Sequence, residues 1–214
     1  MKLKTLNPIK LILKGEDKFE FLQSIITNDI YSNKSNLYSY ILTPQGKILY
    51  EIQIFFKNDL IEIVCTNDQA DLFVFFNKFA KLSEVSIEKT YIENTNYNLE
   101  YFTDNLKKGR IDINFITHST LIPSEVHENY IDYKKGCFVG QEVASRIKHR
   151  NLKKKIVTIF VKRKDYRPLR FDNFQVILDF NEFILLRIPI SEDLSEFERI
   201  YNLRNIQKFR SVFE

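Results

Sequence analysis

The first ninety residues switch repeatedly between strand-like and helical hydrophobic patterns, and a proline–glycine turn folds two of the strand-like segments back on each other. Ile9 to Leu13 reads as a short strand stopped by Gly15. Asp17 is placed to cap a helix behind it, with Glu20 three residues on for a capping-box contact. Phe19, Leu22, Ile25 and Ile26 give that helix its buried stripe. Tyr38 to Leu42 and Ile48 to Phe56 are strands joined by Pro44-Gln45-Gly46. Leu60 to Cys65 is a mostly apolar, central strand. Asn67 or Asp68 caps a second helix through Leu82, with Leu72, Phe73, Phe76, Phe79 and Ala80 facing inward. Val85 to Tyr91 is a further strand, rich in β-branched residues. Hairpins set among alternating strands and helices make the fold class α+β rather than doubly wound.

Further on, Tyr97 to Phe102 and Arg110 to Phe115 are weaker strand candidates, and Thr117 to Tyr133 is irregular. Gly140 to Lys148 starts a helix. Beyond the basic run from Lys148 to Lys155 the pattern changes to three strand-like segments, Ile156 to Val161, Phe174 to Leu178 and Phe183 to Ile188. The expected division is a larger α+β domain over 1–151 and a small β domain over 152–214, with a charged, helical tail from Glu192 to Phe213. About 60 residues is near the size at which a core alone is marginal, so the second part is expected to dock on the first.

Composition narrows the function classes. A net charge of +4, from 32 basic and 28 acidic residues, gives no bulk pull toward nucleic acid. The cluster Lys148, His149, Arg150, Lys153, Lys154, Lys155 lacks interleaved aromatics, so nucleic acid is not the expected partner. The longest apolar run, Leu72 to Phe76, falls far short of the ~20 residues of a membrane span, and no signal peptide is visible. Cys65 and Cys137 lie far apart and form no metal-ligand pair; Cys65 reads as core. No metal site is expected, and a cytoplasmic location is the expectation. His118 and His127 read as surface residues.

The most informative stretch is Lys134 to Arg150. Two of the chain's five glycines, Gly136 and Gly140, stand four residues apart there, which implies a tight turn or close approach of a ligand. Lys135-Gly136-Cys137-Phe138-Val139-Gly140-Gln141-Glu142, followed four residues on by Arg146, resembles the signature of the YgfZ family, relatives of the glycine cleavage T-protein (aminomethyltransferase). Gly15-Glu16-Asp17, Phe21-Leu22-Gln23, Thr27-Asn28-Asp29, the Pro44-Gln45-Gly46-Lys47 turn and the Pro123/Glu125 pair resemble other segments of that family, in the same order. The resemblance implies a folate-binding α+β domain closed by a reduced, barrel-like C-terminal β domain, with tetrahydrofolate as cofactor. It also implies a role in maturing or repairing iron–sulfur enzymes, with those enzymes or their assembly proteins as partners and an indirect effect on tRNA modification.

The resemblance places the folate site on Gln141, Glu142, Arg146, Gly140 and Lys135. A carboxylate at Glu142 would accept the paired donors of a pterin edge, although aligning on Gly140 puts Gln141 at the T-protein's pterin-binding Glu and Glu142 one place later, so either could face the ring. Read from the residues alone, Glu142 is a solvated helix residue pairing with Arg146 at i,i+4. Cys137, beside Lys134 and Lys135, is the candidate reactive thiol; the alternative is a small residue at a turn. The chain departs from T-proteins in carrying Tyr50 and Glu51 where an aspartate pair stands, and Asp112-Ile113-Asn114 where Gly-Ile-Pro stands. Genuine aminomethyl transfer is the first rival reading, a basic nucleic-acid-binding module the second, and whether the chain is an enzyme stays open.

Overall fold

A computed structural model describes residues 7–32, 35–68, 71–93, 96–116, 120–150, 155–164 and 174–208. Five strands, β1 (Ile9–Lys14), β2 (Asn36–Leu42), β3 (Ile48–Phe56), β4 (Ile61–Cys65) and β5 (Ser86–Tyr91), form an antiparallel sheet in the order β2-β3-β4-β1-β5. The five strands read from the first ninety residues are all present, and β4 lies mid-sheet as expected. Helices α1 (Lys18–Ile25) and α2 (Leu72–Ala80) cover one face, where Leu22, Ile25 and Phe76 pack on Leu11, Ile52, Ile54 and Ile63.

The caps differ from the expected ones. Gly15 brings the chain so close to the Glu84 carbonyl that a Cβ would overlap it, and Asp17 then accepts the Glu84 N–H (2.8 Å) rather than an α1 amide. No capping box forms at α1. At α2 the cap residue is Asp71, which accepts from Val74 N–H, while Asp68 takes the Leu72 N–H at 2.7 Å. Phe79, expected inward, is 41% exposed.

The stretch read as weak strands from Tyr97 to Phe115 is instead helix α3 (Leu99–Lys107) and a 3-10 turn at Ile113–Phe115. Asn98 caps α3 through Tyr101 N–H, and Phe102 and Leu106, one helical turn apart, fill its buried face. Two more 3-10 turns, Pro123–Glu125 and Glu128–Tyr130, order the irregular segment, and α4 (Gln141–His149) follows. A second antiparallel sheet, β7 (Gln175–Phe180), β8 (Phe183–Pro189), β6 (Lys155–Lys162) and β9 (Leu203–Lys208) in the order β7-β8-β6-β9, carries α5 (Leu194–Ile200). The tail is thus helical over α5 and then a strand. This sheet is open, so the expected barrel does not close among the described residues. One apolar cluster joins Tyr40, Leu42, Phe102 and Phe115 to Val157, Ile159, Phe183 and Leu185, so the two sheets share a core. The 151/152 division falls among residues outside the described set.

Candidate functional site

Gly140 opens α4 with φ +81°, and a Cβ there would lie 2.5 Å from the Thr43 carbonyl. Its close approach is to the β2–β3 hairpin, whose Gly46 (φ +73°) in turn sits under Val143. Gly136 faces open space. Lys135 is buried, and its ammonium donates to the Gln23 (2.5 Å) and Ile26 (2.6 Å) carbonyls at the C-terminus of α1. This is a side-chain cap of the kind that last-turn carbonyls favour. Burial pulls its ammonium down to about 8, with Asp29 and Asp132 opposing.

Gln141 folds back on its own loop, its Oε1 accepting from Phe138 N–H (3.3 Å) and its Nε2 donating to the Lys135 carbonyl (3.5 Å). Glu142 points outward, with 84% of its side chain exposed, and pairs with Arg146 at 2.6 Å. Cys137 is exposed, and Cys65 is buried. In the basic run, the Lys148 ammonium stands 3.9 Å over the Tyr133 ring; His149 and Arg150 are exposed, and Lys153 and Lys154 lie outside the described residues, as does His118. No group of His, Cys, Asp or Glu among the described residues could hold a metal, and no described helix is long and apolar enough to cross a membrane.

A different constellation gathers on the face of the first sheet away from α1 and α2. Strand alternation turns Tyr50 toward the helices, where it meets Phe75, and turns Glu51 the other way. Tyr40 is the cross-strand partner of Glu51, and Tyr38 that of Gln53, whose amide donates to the Tyr38 hydroxyl at 2.7 Å. The Tyr38 ring stacks on Tyr130 (5.3 Å, 16°), which also meets Tyr40 (5.4 Å) and His127 (5.2 Å). The Thr27-Asn28 pair ties this wall together: Thr27 Oγ1 donates to the Tyr130 carbonyl (2.6 Å) and Asn28 Nδ2 to the Tyr38 carbonyl (2.9 Å). His127, read as a surface residue, is partly buried in it.

The electrostatics of this face are strongly perturbed. Burial first, then the Asp112 carboxylate, pushes the Glu51 carboxyl well above the usual carboxylate range, against the Ile113 N–H and Arg110. Burial followed by Arg110 lowers the His127 imidazole to about 4, so it is neutral at pH 7. Burial, with Glu51 next, raises the Tyr40 and Tyr130 phenols. Clusters of this kind concentrate at functional sites. Sequence reasoning missed Tyr38, Tyr40, Tyr130, His127 and Asp112; the available signal was Glu51 on a strand whose alternation places it opposite Tyr40.

No family model matches the chain. A protein described as a probable aminomethyltransferase of Thermococcus kodakarensis is 31% identical over 109 residues, 47% of this chain. That stretch is 27% of the relative, so the likeness spans about a quarter of its length. The crystal structure of glycine cleavage system aminomethyltransferase T from Bartonella henselae superposes with a TM-score of 0.63 at 12% identity, over 86% of this chain and 76% of that one. The chain is therefore similar in sequence to an aminomethyltransferase and has the aminomethyltransferase fold, built on two antiparallel sheets.

Proposed function

We propose that this chain is a tetrahydrofolate-binding protein of YgfZ type that supports the maturation or repair of iron–sulfur enzymes, and through them tRNA modification, in the cytoplasm. The observation that carries the folate reading is Glu51, an acid set among Tyr38, Tyr40 and Tyr130 in an aminomethyltransferase fold. A planar pterin needs apolar faces and a few convergent polar groups, and the stacked tyrosines, Gln53 and Glu51 offer both. When bound, tetrahydrofolate supplies a one-carbon carrier. Arg110, exposed beside the wall, and Arg146 suit its anionic glutamate tail.

Glu142 is already engaged by Arg146 and turned to solvent, which favours Glu51 over Glu142 or Gln141 as the side chain that meets the folate. Lys135 and Gly140 then serve by holding the loop that exposes Cys137, whose thiol is the candidate for a redox or one-carbon step. Folate-dependent aminomethyl transfer is the second reading, favoured by an acid on the tyrosine face of β3.

The test is titration with tetrahydrofolate and 5-formyltetrahydrofolate, read by calorimetry and melting. Ligand at ~100 times its Kd should add about 2.7 kcal/mol to stability. An unchanged melting curve of the folded protein at millimolar ligand would overturn the folate reading. Folate-dependent ammonia release from a loaded lipoyl carrier protein would promote the second.

A further inference from the structure

A cavity of about 450 Å³, within the size range of small-molecule sites, opens between α3 and the second sheet. It is lined by Lys107, Val161, Glu182, Phe183, Arg204 and Asn205, and shares no residue with the tyrosine face. Strand pairing builds its floor. On β6, Val161 is the cross-strand partner of Phe183 on one side and of Arg204 on the other. Directly opposite residues of antiparallel strands share a face, so the three form one row across the sheet. Val161 and Phe183 belong to the core that Phe102 and Leu106 of α3 enter. The Lys162 N–H donates to the Glu182 carbonyl (2.7 Å), which holds the turn carrying Glu182 against the end of β6. From the other side, α3 brings Lys107 in its last turn. At Asn205 the register slips: Phe160 faces Asn205 but Ile159 faces Gln207, so β9 carries an extra residue there. Such bulges recur beside sites because they re-aim a side chain. The Asn205 N–H donates to Glu198 of α5 (2.5 Å), whereas its Oδ1 is buried with no hydrogen-bond partner among the described residues. A buried acceptor is costly to leave unmade and calls for a donor from outside the chain.

We propose that this cavity binds an acidic α-amino acid. Its charged lining is mixed: Lys107 and Arg204 are exposed cations, and Glu182 is an exposed acid. Among the described residues Lys107 has only a long, exposed contact with Asp104 (3.6 Å), and neither Arg204 nor Glu182 has an ion pair. Two cations suit two carboxylates, with the Arg204 guanidinium able to take one as a fork. Glu182 and the Asn205 Oδ1 suit the ammonium, and the methylenes lie against Val161 and Phe183. A simple dianion would leave Glu182 opposed to it and the Asn205 oxygen without a donor. An uncharged apolar molecule would use none of the four polar side chains. Because Lys107 belongs to α3 and the rest to the second sheet, the ligand ties one to the other. Charged pairs at an exposed mouth each contribute little, so the dissociation constant is on the order of 1 mM. This site stands apart from the folate reading and does not depend on it.

The test is titration of the whole protein with L-glutamate, followed by calorimetry and by the backbone amide signals in nitrogen-15 NMR. Binding should shift the amides of Glu182, Phe183, Arg204 and Asn205 and leave those of Tyr38, Gln53 and Tyr130 in place. Glutarate, which keeps both carboxylates and lacks the ammonium, should bind about fivefold more weakly. Arg204→Met and Lys107→Met should each weaken L-glutamate binding by about the same factor. Glu182→Gln should weaken L-glutamate and leave glutarate as tight or tighter, since it removes the ammonium's partner and a carboxylate's opponent. All three side chains are exposed, so the unliganded variants should melt with the wild type. Glutarate binding as tightly as L-glutamate overturns the proposal, as does L-glutamate binding untouched by Arg204→Met. Shifts confined to other amides, or no saturation of the wild type far above ~1 mM, overturn it equally.

Discussion

Lys135 and Glu51 are both ionisable groups withdrawn from water, and the fold treats them in opposite ways. The Lys135 ammonium meets two backbone carbonyls at a helix terminus, partners that carry no net charge. The Glu51 carboxyl accepts from the Ile113 N–H and lies in the fields of a second carboxylate and an arginine, whose charges pull against one another. The first arrangement holds one piece of chain to another. The second leaves a group whose protonation responds to its neighbours, which is what a ligand site needs. The contrast extends along the molecule. Residues of the family-like motifs, Gly15, Asp17, Thr27, Asn28, Gly46, Glu125, Lys135 and Gly140, mostly dock segments, while the tyrosine face has no motif of its own.

That division predicts the largest stability loss at the Glu125–Arg187 fork. Arg187 Nε and Nη2 reach the Glu125 carboxylate at 2.8 and 2.9 Å, with side chains 13% and 10% exposed, and so pin β8 to the Pro123–Glu125 turn. Breaking such a buried pair costs about 3–5 kcal/mol. Arg187→Met should lower Tm by about 10 °C or more. A loss below ~1 kcal/mol would show that this motif glutamate is not a docking residue.

The two signature glycines give the next test within a single loop. Gly140→Ala places a Cβ against the Thr43 carbonyl at positive φ and should cost about 2–3 kcal/mol. Gly136→Ala meets nothing within 4 Å and should stay within about 0.5 kcal/mol. Thermal melts of both variants measure the difference. Equal effects would mean the segment is held by something other than its contact with the hairpin.

The strands and both early helices were legible because one face of the first sheet is apolar and the period of Leu11, Ile52, Ile54 and Ile63 is regular. Helix α3 was misread because Tyr97 and Tyr101 look β-prone in isolation. Tertiary contacts of Phe102 with Phe115 (4.9 Å) and Phe180 (5.9 Å) decide its state. The closed barrel failed as an expectation because it came from a family's shape rather than from strand pairing in this chain. The signature was easy to see, but its spacing could not show that Lys135 turns inward and Glu142 outward, since that depends on where α1 ends and how α4 meets the hairpin. Asp112 and Glu51 lie 61 positions apart, and nothing local marks them as neighbours.

Lys135→Met sharpens the comparison at the next level of effect. It leaves the Gln23 and Ile26 carbonyls without their cation and should cost about 2 kcal/mol at pH 7. The pH dependence has a definite sign. The ammonium falls from 10.5 in the unfolded chain to about 8 in the fold, so between these values the unfolded chain binds the extra proton. Stability contributed by this site therefore rises with pH across that window and is flat below it. Subtracting the Lys135→Met denaturation profile from that of the wild type should expose the rise; a difference that falls from pH 8 upward would mean the two carbonyls outweigh burial.

The smallest expected effect is the one that separates the two regions most cleanly. Glu142 is exposed and paired with Arg146 on the same helix face, and an i,i+4 pair of this kind contributes about 0.3–0.5 kcal/mol. Glu142→Ala should therefore leave Tm within a degree or two, and on the reading that Glu51 meets the pterin it should leave folate affinity unchanged. Glu51→Ala should weaken folate binding about tenfold or more, because removing one partner of a buried hydrogen bond leaves the other unsatisfied, at about 1–3 kcal/mol. Calorimetric titration of both variants with 5-formyltetrahydrofolate decides between them. A tenfold loss in Glu142→Ala with normal binding in Glu51→Ala would return the pterin to the signature helix, and would require the Arg146 pair to open when ligand arrives.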